Sequence, residues 1–248
     1  MFAHERQRLI LDLLRKQQRI GTQELAGHLQ VSPATLRRDL EQLDRGGELL
    51  RVHGGIILRK NAIDEPSLRQ KSGLATKAKK RIAARVAAEV PQGATVFIDG
   101  GTTCLEAGLL LRKRADLVIL TNSLPLIAAY DSFEAKLMVL GGERRAVSGA
   151  LVGNLAMDAI ARLRADVALI GASGLHPQDG PGTTELLETE IKREWIHRAR
   201  QAFLLADGSK WNHGSTIRFA DWSEFAAFFT DKQPPPSFKS RKLRILIA

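Results

Sequence analysis

The run Val31-Ser32-Pro33-Ala34-Thr35-Leu36-Arg37-Arg38-Asp39-Leu40 decides how the first part of this 248-residue chain is read. Ser32-Pro33 is a strong helix start: a serine hydroxyl accepts from the open N–H groups of a first turn, and proline's fixed φ suits the first helical position. From there Leu36, Leu40 and Leu43 recur at helical spacing and form an inward face. The opposite face carries Ala34, Thr35, Arg37, Arg38 and Glu41, weighted toward the N-terminal half. Gly46-Gly47 is the expected stop.

Working outward, Leu9, Ile10, Leu13 and Leu14 mark an amphipathic helix over residues 4–16, which Gly21 breaks. Thr22 is placed to cap a short second helix with Leu25, Ala26 and Leu29 on one side. Downstream, residues 49–52 and 56–58 flank His53-Gly54-Gly55 and read as a small hairpin with a tight glycine turn. Three short helices and a basic hairpin describe a small α+β winged helix-turn-helix domain over residues 1–58. Such a domain lays the first turns of its third helix in the major groove. Arginine grips phosphate or takes guanine in a bidentate fashion, and threonine meets a thymine methyl. The candidate DNA contacts are therefore Thr22, Ser32, Pro33, Thr35, Arg37 and Arg38, with Arg51 and His53 from the wing. Asp39 and Glu41 are expected to orient neighbours on their own helix, Asp39 steering an adjacent arginine.

Charge points the same way. Residues 1–91 hold 18 Lys and Arg against 10 Asp and Glu, whereas residues 92–248 hold 19 against 17, so most of the net +10 lies in the first third. A basic excess confined to one region suits a polyanion partner through counterion release.

Residues 59–76 are polar and are expected to be a linker. From Lys77 onward the pattern becomes a basic amphipathic helix over 77–90, followed by short apolar runs alternating with helical stretches. Strands are expected at 95–98, 117–120, 136–140, 167–171, 202–206 and 226–229, with an edge strand over 243–247. This alternation predicts an α/β sensor domain with a mostly parallel sheet over residues 77–248. Three strand ends carry turns suited to a ligand: Asp99-Gly100-Gly101-Thr102-Thr103, Thr121-Asn122 and Gly141-Gly142. Small residues let a backbone approach a ligand, and hydroxyls with open helix N–H groups hold an anion. The first turn lacks a Walker lysine and the spacing of a dinucleotide fingerprint. The candidate effector contacts are Asp99, Gly101, Thr102, Thr103, Thr121, Asn122, Gly141 and Gly142, joined by Glu188, Asp207 and Lys210 from the second half. Lys210 either neutralises a phosphate or pairs with Asp207; Lys192, Arg144 and Arg145 are lesser candidates.

Other classes find less support. The one cysteine, Cys104, excludes an internal disulfide and a multi-cysteine zinc site. The six histidines show no close ligand spacing, so neither a metal nor another cofactor is expected. No apolar run approaches the ~20 residues that span a bilayer, and the chain begins without a signal-peptide pattern; a cytoplasmic protein with no membrane partner is expected.

The sequence resembles the DeoR family of bacterial transcription regulators. The likeness runs through Glu24-Leu25-Ala26, Val31-Ser32, Thr35-Leu36-Arg37-Arg38-Asp39-Leu40 and Arg51-Val52-His53-Gly54-Gly55. It continues through the Asp99–Thr103 turn, Thr121-Asn122-Ser123, Gly141-Gly142 and Ala206-Asp207-Gly208-Ser209-Lys210. The resemblance implies a homo-oligomeric repressor, dimer or tetramer, that binds double-stranded operator DNA of carbohydrate-metabolism genes and is released by a phosphorylated sugar. The second domain also resembles ribose-5-phosphate isomerase, which raises an alternative: a sugar-phosphate isomerase carrying a DNA-binding appendage. Glu188 stands roughly where such isomerases keep their base, but their acidic segment is replaced here by Ile170-Gly171-Ala172-Ser173. Binding without catalysis, and so no catalytic residue, is the expectation.

Overall fold

Leucines at helical spacing build the first unit of the computed structural model. The structure describes residues 3–17, 19–45, 49–52, 55–58, 66–212, 215, 217–238 and 243–248. The chain divides into two compact units, Met1–Asp64 and Glu65–Ala248. In the first, helices α1 (Ala3–Gln17), α2 (Thr22–Leu29) and α3 (Pro33–Arg45) accompany strands β1 (Arg19–Gly21), β2 (Leu49–Val52) and β3 (Gly55–Leu58). Ile10, Leu14, Leu25, Leu29, Leu36, Leu40 and Leu43 are buried together with Ile20, Leu49 and Ile56. Each such side chain contributes roughly 1.5–3 kcal/mol on burial. Of the four apolar residues that marked α1, Ile10 and Leu14 are buried and Leu13 packs against their cluster, while Leu9 is 43% exposed.

Two local expectations are corrected here. Thr22 does not cap α2: Gly21 is the N-cap and Thr22 is the first helical residue. The wing is three-stranded, in the order β1-β3-β2, where the sequence suggested a two-stranded hairpin. Strand β1 is only Arg19–Gly21, too short to show alternation. It explains Gly55, which sits in β3 opposite Gly21; a Cβ there would meet the Ile20 carbonyl oxygen at 2.6 Å. The glycine is required for close strand approach rather than for a turn. Gly46, Gly47 and Gly54 lie outside the described residues.

The second unit opens with α4 (Leu68–Gly73) and α5 (Thr76–Ala87). Residues 66–76 are therefore not a plain linker: Ser67 and Gln70 form a capping box around the start of α4. Of the expected linker, residues 59–65 lie outside the described set. Then follow β4 (Thr95–Ile98), α6 (Thr102–Leu111), β5 (Val118–Thr121), α7 (Leu124–Ile127), β6 (Lys136–Val139), β7 (Glu143–Arg144), β8 (Leu151–Val152) and α8 (Asn154–Ala161). The chain continues through β9 (Ala165–Gly171), β10 (Gly174–His176), β11 (Gly180–Thr183), α9 (Leu186–Arg198), β12 (Ala199–Leu205), β13 (Ile217–Arg218), β14 (Ala227–Thr230) and β15 (Arg244–Ile247).

Seven strands form one sheet in the order β15-β14-β12-β9-β4-β5-β6, and every pairing in it is parallel. Alternate residues of a strand face opposite sides, and β4 shows it. Phe97 joins the core under α8 and α9, while Val96 and Ile98 join the core under α5 and α6. Phe97 stacks on Trp195 of α9, ring centroids 5.2 Å apart and planes 10° from parallel. The small antiparallel sheet β10-β11-β13 had no signal in the sequence, since strands such as Gly180–Thr183 are built of glycine and proline.

Trp195 is fully buried and anchors α9 to the sheet. Trp195→Ala is expected to cost about 3–5 kcal/mol, as large aromatic truncations in cores do. Urea denaturation checks this, and a loss below about 1 kcal/mol contradicts the anchoring role.

Candidate nucleic-acid interface and ligand cleft

The start of α3 is built as its sequence suggests. The Ser32 hydroxyl accepts from the Thr35 amide at 3.2 Å and lies 2.9 Å from the Thr35 hydroxyl. A shallow groove between α2 and α3 sets Thr22, Pro33 and Arg37 on one surface. Arg37 donates to Glu41 at 2.9 Å, one turn on, which extends its guanidinium along the exposed face. Arg38 is exposed and makes no side-chain hydrogen bond among the described residues. Arg51 belongs to β2, with its side chain not described, and His53 lies outside the described residues.

Asp39 turns away from this surface. It is buried and takes a bidentate ion pair from Arg6 of α1, at 2.7 and 3.1 Å, rather than steering an arginine of its own helix. Its oxygens face the core side, where α1 crosses α3, and a guanidinium fork satisfies both. Nothing in the sequence singled out Arg6, because the pair spans 33 positions.

In the second unit the decisive side chain is Asp99, just after β4. Its Oδ2 accepts from the Gly171 amide at 3.0 Å and forms an ion pair with Lys192 of α9. Lys192 Nζ also donates to the Gly171 carbonyl at 3.1 Å. Asp99, Gly171 and Lys192 thus tie together the ends of β4 and β9 and the middle of α9. Burial alone pushes the Lys192 pKa down, but Asp99 and then Glu188 outweigh it and hold the value above that of an ordinary lysine.

A narrow cleft, of about 50 Å³ as water-sized spheres fill it, lies beside this knot. It is smaller than the roughly 300–1,000 Å³ of drug-sized sites and opens to solvent at its mouth. One wall is Asp99–Thr103, where α6 begins with Gly101 as N-cap and no side chain over its first amides. Thr102 and Thr103 are buried there, and neither hydroxyl has a hydrogen-bond partner among the described residues. Gly171, Ala172 and Ser173 form the floor, Glu188 and Lys192 come from α9, and Lys210 comes from a 3-10 turn. Ser148, Ala150, Leu68 and Lys71 close the remaining side. Gly100 is needed for the close fit, because a Cβ would meet that of Ala150 at 2.9 Å. Glu188 is paired with Arg145 at 3.1 Å, both largely buried.

The structure brings Asp99, Gly101, Thr102, Thr103, Glu188 and Lys210 to this one cleft. It does not bring the others. Thr121 donates to the Ile98 carbonyl at 2.7 Å and accepts from the Ser123 amide, tying β5 to β4. Asn122 donates to the Leu151 carbonyl at 2.9 Å. Gly142 has φ +137°, and a Cβ on it would meet the Val152 carbonyl oxygen at 2.5 Å, so it packs a turn against β8; Gly141 faces open space. Asp207 accepts from the amide and hydroxyl of Ser209, shaping the turn that carries Lys210. Lys71, Ser148 and the Arg145 partnership were not foreseen: they come from a helix inside the expected linker and from the short β7–β8 hairpin. Cys104 is fully buried, and desolvation pushes its thiol pKa well up, the setting of a packing residue rather than a reactive thiol.

Residues 6–62 match the DeoR-like helix-turn-helix domain, and residues 74–232 match the DeoR C terminal sensor domain. The chain belongs to the DeoR family. It is 32% identical to the glycerol-3-phosphate regulon repressor of Escherichia coli, over 92% of this chain and 90% of that one. It is also 32% identical to an uncharacterized HTH-type transcriptional regulator, FruR, of Bacillus subtilis, over 94% and 93% of the two chains. The lactose phosphotransferase system repressor of Lactococcus lactis matches at 32% over 92% and 90%. A ribose 5-phosphate isomerase A from Methanocaldococcus jannaschii overlaps loosely, with a TM-score of 0.40 and 15% identity over 55% of this chain and 54% of that one. This DeoR-family member is thus a DNA-binding transcription regulator with a helix-turn-helix unit and a parallel α/β sensor unit. Among its described residues no helix is long and apolar enough to cross a membrane.

Asp99→Ala leaves Lys192 charged, buried and without its partner, which typically costs about 3–5 kcal/mol. Adding Lys192→Met is expected to recover most of that loss, because an apolar pair of similar volume is nearly neutral. The folded-state pKa of Lys192 is raised, so its contribution is complete below the unfolded value of about 10.4 and is lost only as pH rises through the higher folded one. In the unsubstituted protein this contribution should therefore be undiminished between about pH 6 and pH 9 in urea denaturation; recovery absent in the double variant contradicts the pairing.

Proposed function

We propose that this regulator represses carbohydrate-metabolism genes in the cytoplasm and is released when a phosphorylated sugar enters the cleft. The observation that carries the reading is the charge of that cleft. Lys71, Lys192 and Lys210 line it with Asp99 and Glu188, three cations to two carboxylates, and Glu188 is itself paired with Arg145 from outside the lining. The surplus favours an anion, and a phosphate monoester carries about −1.5 to −2 at pH 7. The buried Thr102 and Thr103 hydroxyls and the first amides of α6 are suited to its oxygens. Glu188 and Ser148 are suited to sugar hydroxyls. Relatives named as repressors of a glycerol-3-phosphate regulon and of a lactose phosphotransferase system agree with this chemistry.

Turnover is not part of the proposal. Moving a proton between sugar carbons requires a carboxylate base. Both carboxylates of the lining are already held by cations, Asp99 by Lys192 and Glu188 by Arg145. On the DNA side, Ser32 and Thr35 with the open start of α3 suit a backbone phosphate, and Arg37 and Arg38 suit base edges, with Thr22 and Pro33 on the flank. The operator is double-stranded DNA with related half-sites about one helical turn apart, or a multiple, read by a homo-oligomer.

A sugar phosphate at one hundred times its dissociation constant should add ~2.7 kcal/mol to the native state. That corresponds to a rise of several degrees in the melting midpoint, absent with the unphosphorylated sugar. No shift across a panel of triose, pentose and hexose phosphates contradicts the effector reading. Separately, Arg38→Ala should weaken operator binding in gel-shift assays at least about tenfold with the fold intact by circular dichroism. Unchanged affinity contradicts the assignment of α3 as the reading helix.

A further inference from the structure

Helix α4 is unusual in its unit: none of its residues is buried, yet two of them, Leu68 and Lys71, line the cleft. Polar contacts hold it in place. The Leu68 amide donates to the Val147 carbonyl at 2.8 Å, beside the Ser148 and Ala150 wall. At the other end the buried Lys79 ammonium donates to the carbonyls of Lys71 and Leu74, the latter at 2.6 Å. Burial lowers the pKa of Lys79; of the nearby charges Asp207 opposes this most, Lys210 adds to it, and Glu106 and then Lys71 act more weakly in the same two senses. Lys71 and Lys210 both line the cleft, and so does the first turn of α6. An anion entering there meets ammonium groups together with open helix amides.

We propose that Lys71 of α4 is an effector-binding residue that, with Lys210, takes the phosphate across the cleft from the first turn of α6. This rests on the reading of the cleft as a sugar-phosphate site and adds to it a contact from the first element of the unit. Because α4 has no buried face of its own, the ligand becomes part of what holds it, and the helix is firmer with the cleft filled. In sequence it is the first helix of its unit, which begins at Glu65.

The test is Lys71→Gln. The substitution keeps the Lys71 carbonyl that Lys79 grips, so the contacts that hold α4 survive. Ribose 5-phosphate, glucose 6-phosphate, fructose 1-phosphate and glycerol 3-phosphate are titrated calorimetrically into the full-length protein, and the tightest binder is carried forward. The expected result is an affinity at least about tenfold weaker in Lys71→Gln, as for loss of a charged hydrogen bond, and largely restored in Lys71→Arg. In the unsubstituted protein, hydrogen exchange across α4 should slow on binding, and the slowing should be lost in Lys71→Gln. Binding within twofold of the original overturns the role of Lys71 while the cleft reading stands. Failure of the unsubstituted protein to bind any of the four overturns both.

Discussion

The buried triangle of Asp99, Lys192 and Gly171 is the constraint on which the sensor unit depends. A charge placed among core residues is costly unless its partner and remaining hydrogen-bond sites are supplied together. Here Asp99 receives an amide and an ammonium, and the ammonium receives a carbonyl from the same glycine. The two central strands β4 and β9 and helix α9 meet at that point, so strand-end position and helix rotation are fixed by one set of bonds. Because Lys192 faces inward, Glu188, one turn earlier on the same helix, faces the cleft as well. The knot itself is structural, and it sets the α6 turn and the α9 carboxylate opposite each other.

The first unit repeats the device on a smaller scale. Arg6 and Asp39 join α1 to α3 with a bidentate pair at the rim of a ten-residue apolar core. Asp39 stands directly after Arg37 and Arg38, so fixing it against α1 fixes the angle at which both arginines leave the helix. The motif Arg37-Arg38-Asp39 therefore divides its work: two residues outward, one inward.

Much of this was legible in the sequence where a pattern is local. Strand β4 and the neighbouring strands of the sheet showed as apolar runs, the Ser32-Pro33 cap as a two-residue signal, and the Asp99–Thr103 turn as a strand-to-helix junction. What escaped was set by contacts between distant positions. The partners of Asp39 and Asp99 lie 33 and 93 residues away, and no spacing rule links them. Short elements escaped too: β1 and β7 carry too few residues to show a period, and α4 hides in a polar stretch because none of its faces is apolar. Thr121, Asn122 and Gly142 resemble ligand turns in sequence since the same small and polar residues also serve to lock adjacent strands.

These placements bear on how a ligand could alter DNA binding. A ligand shifts a conformational equilibrium only by the difference in its affinity for the two states. Contacts to Asp99 or to the α6 turn are expected to contribute little to such a difference, because Asp99 is tied to both Gly171 and Lys192. Contacts to elements secured by few bonds contribute most. Helix α4, with no buried residue, meets that description; it is joined through Leu68 to Val147 of the 145–150 segment, which is tied to α9 through Arg145 and Glu188. On the proposed reading, a sugar hydroxyl competing for Glu188 would act on Arg145 and on the segment that seats α4. The knot would then supply affinity, and the helix without a buried face the difference between states that regulation requires.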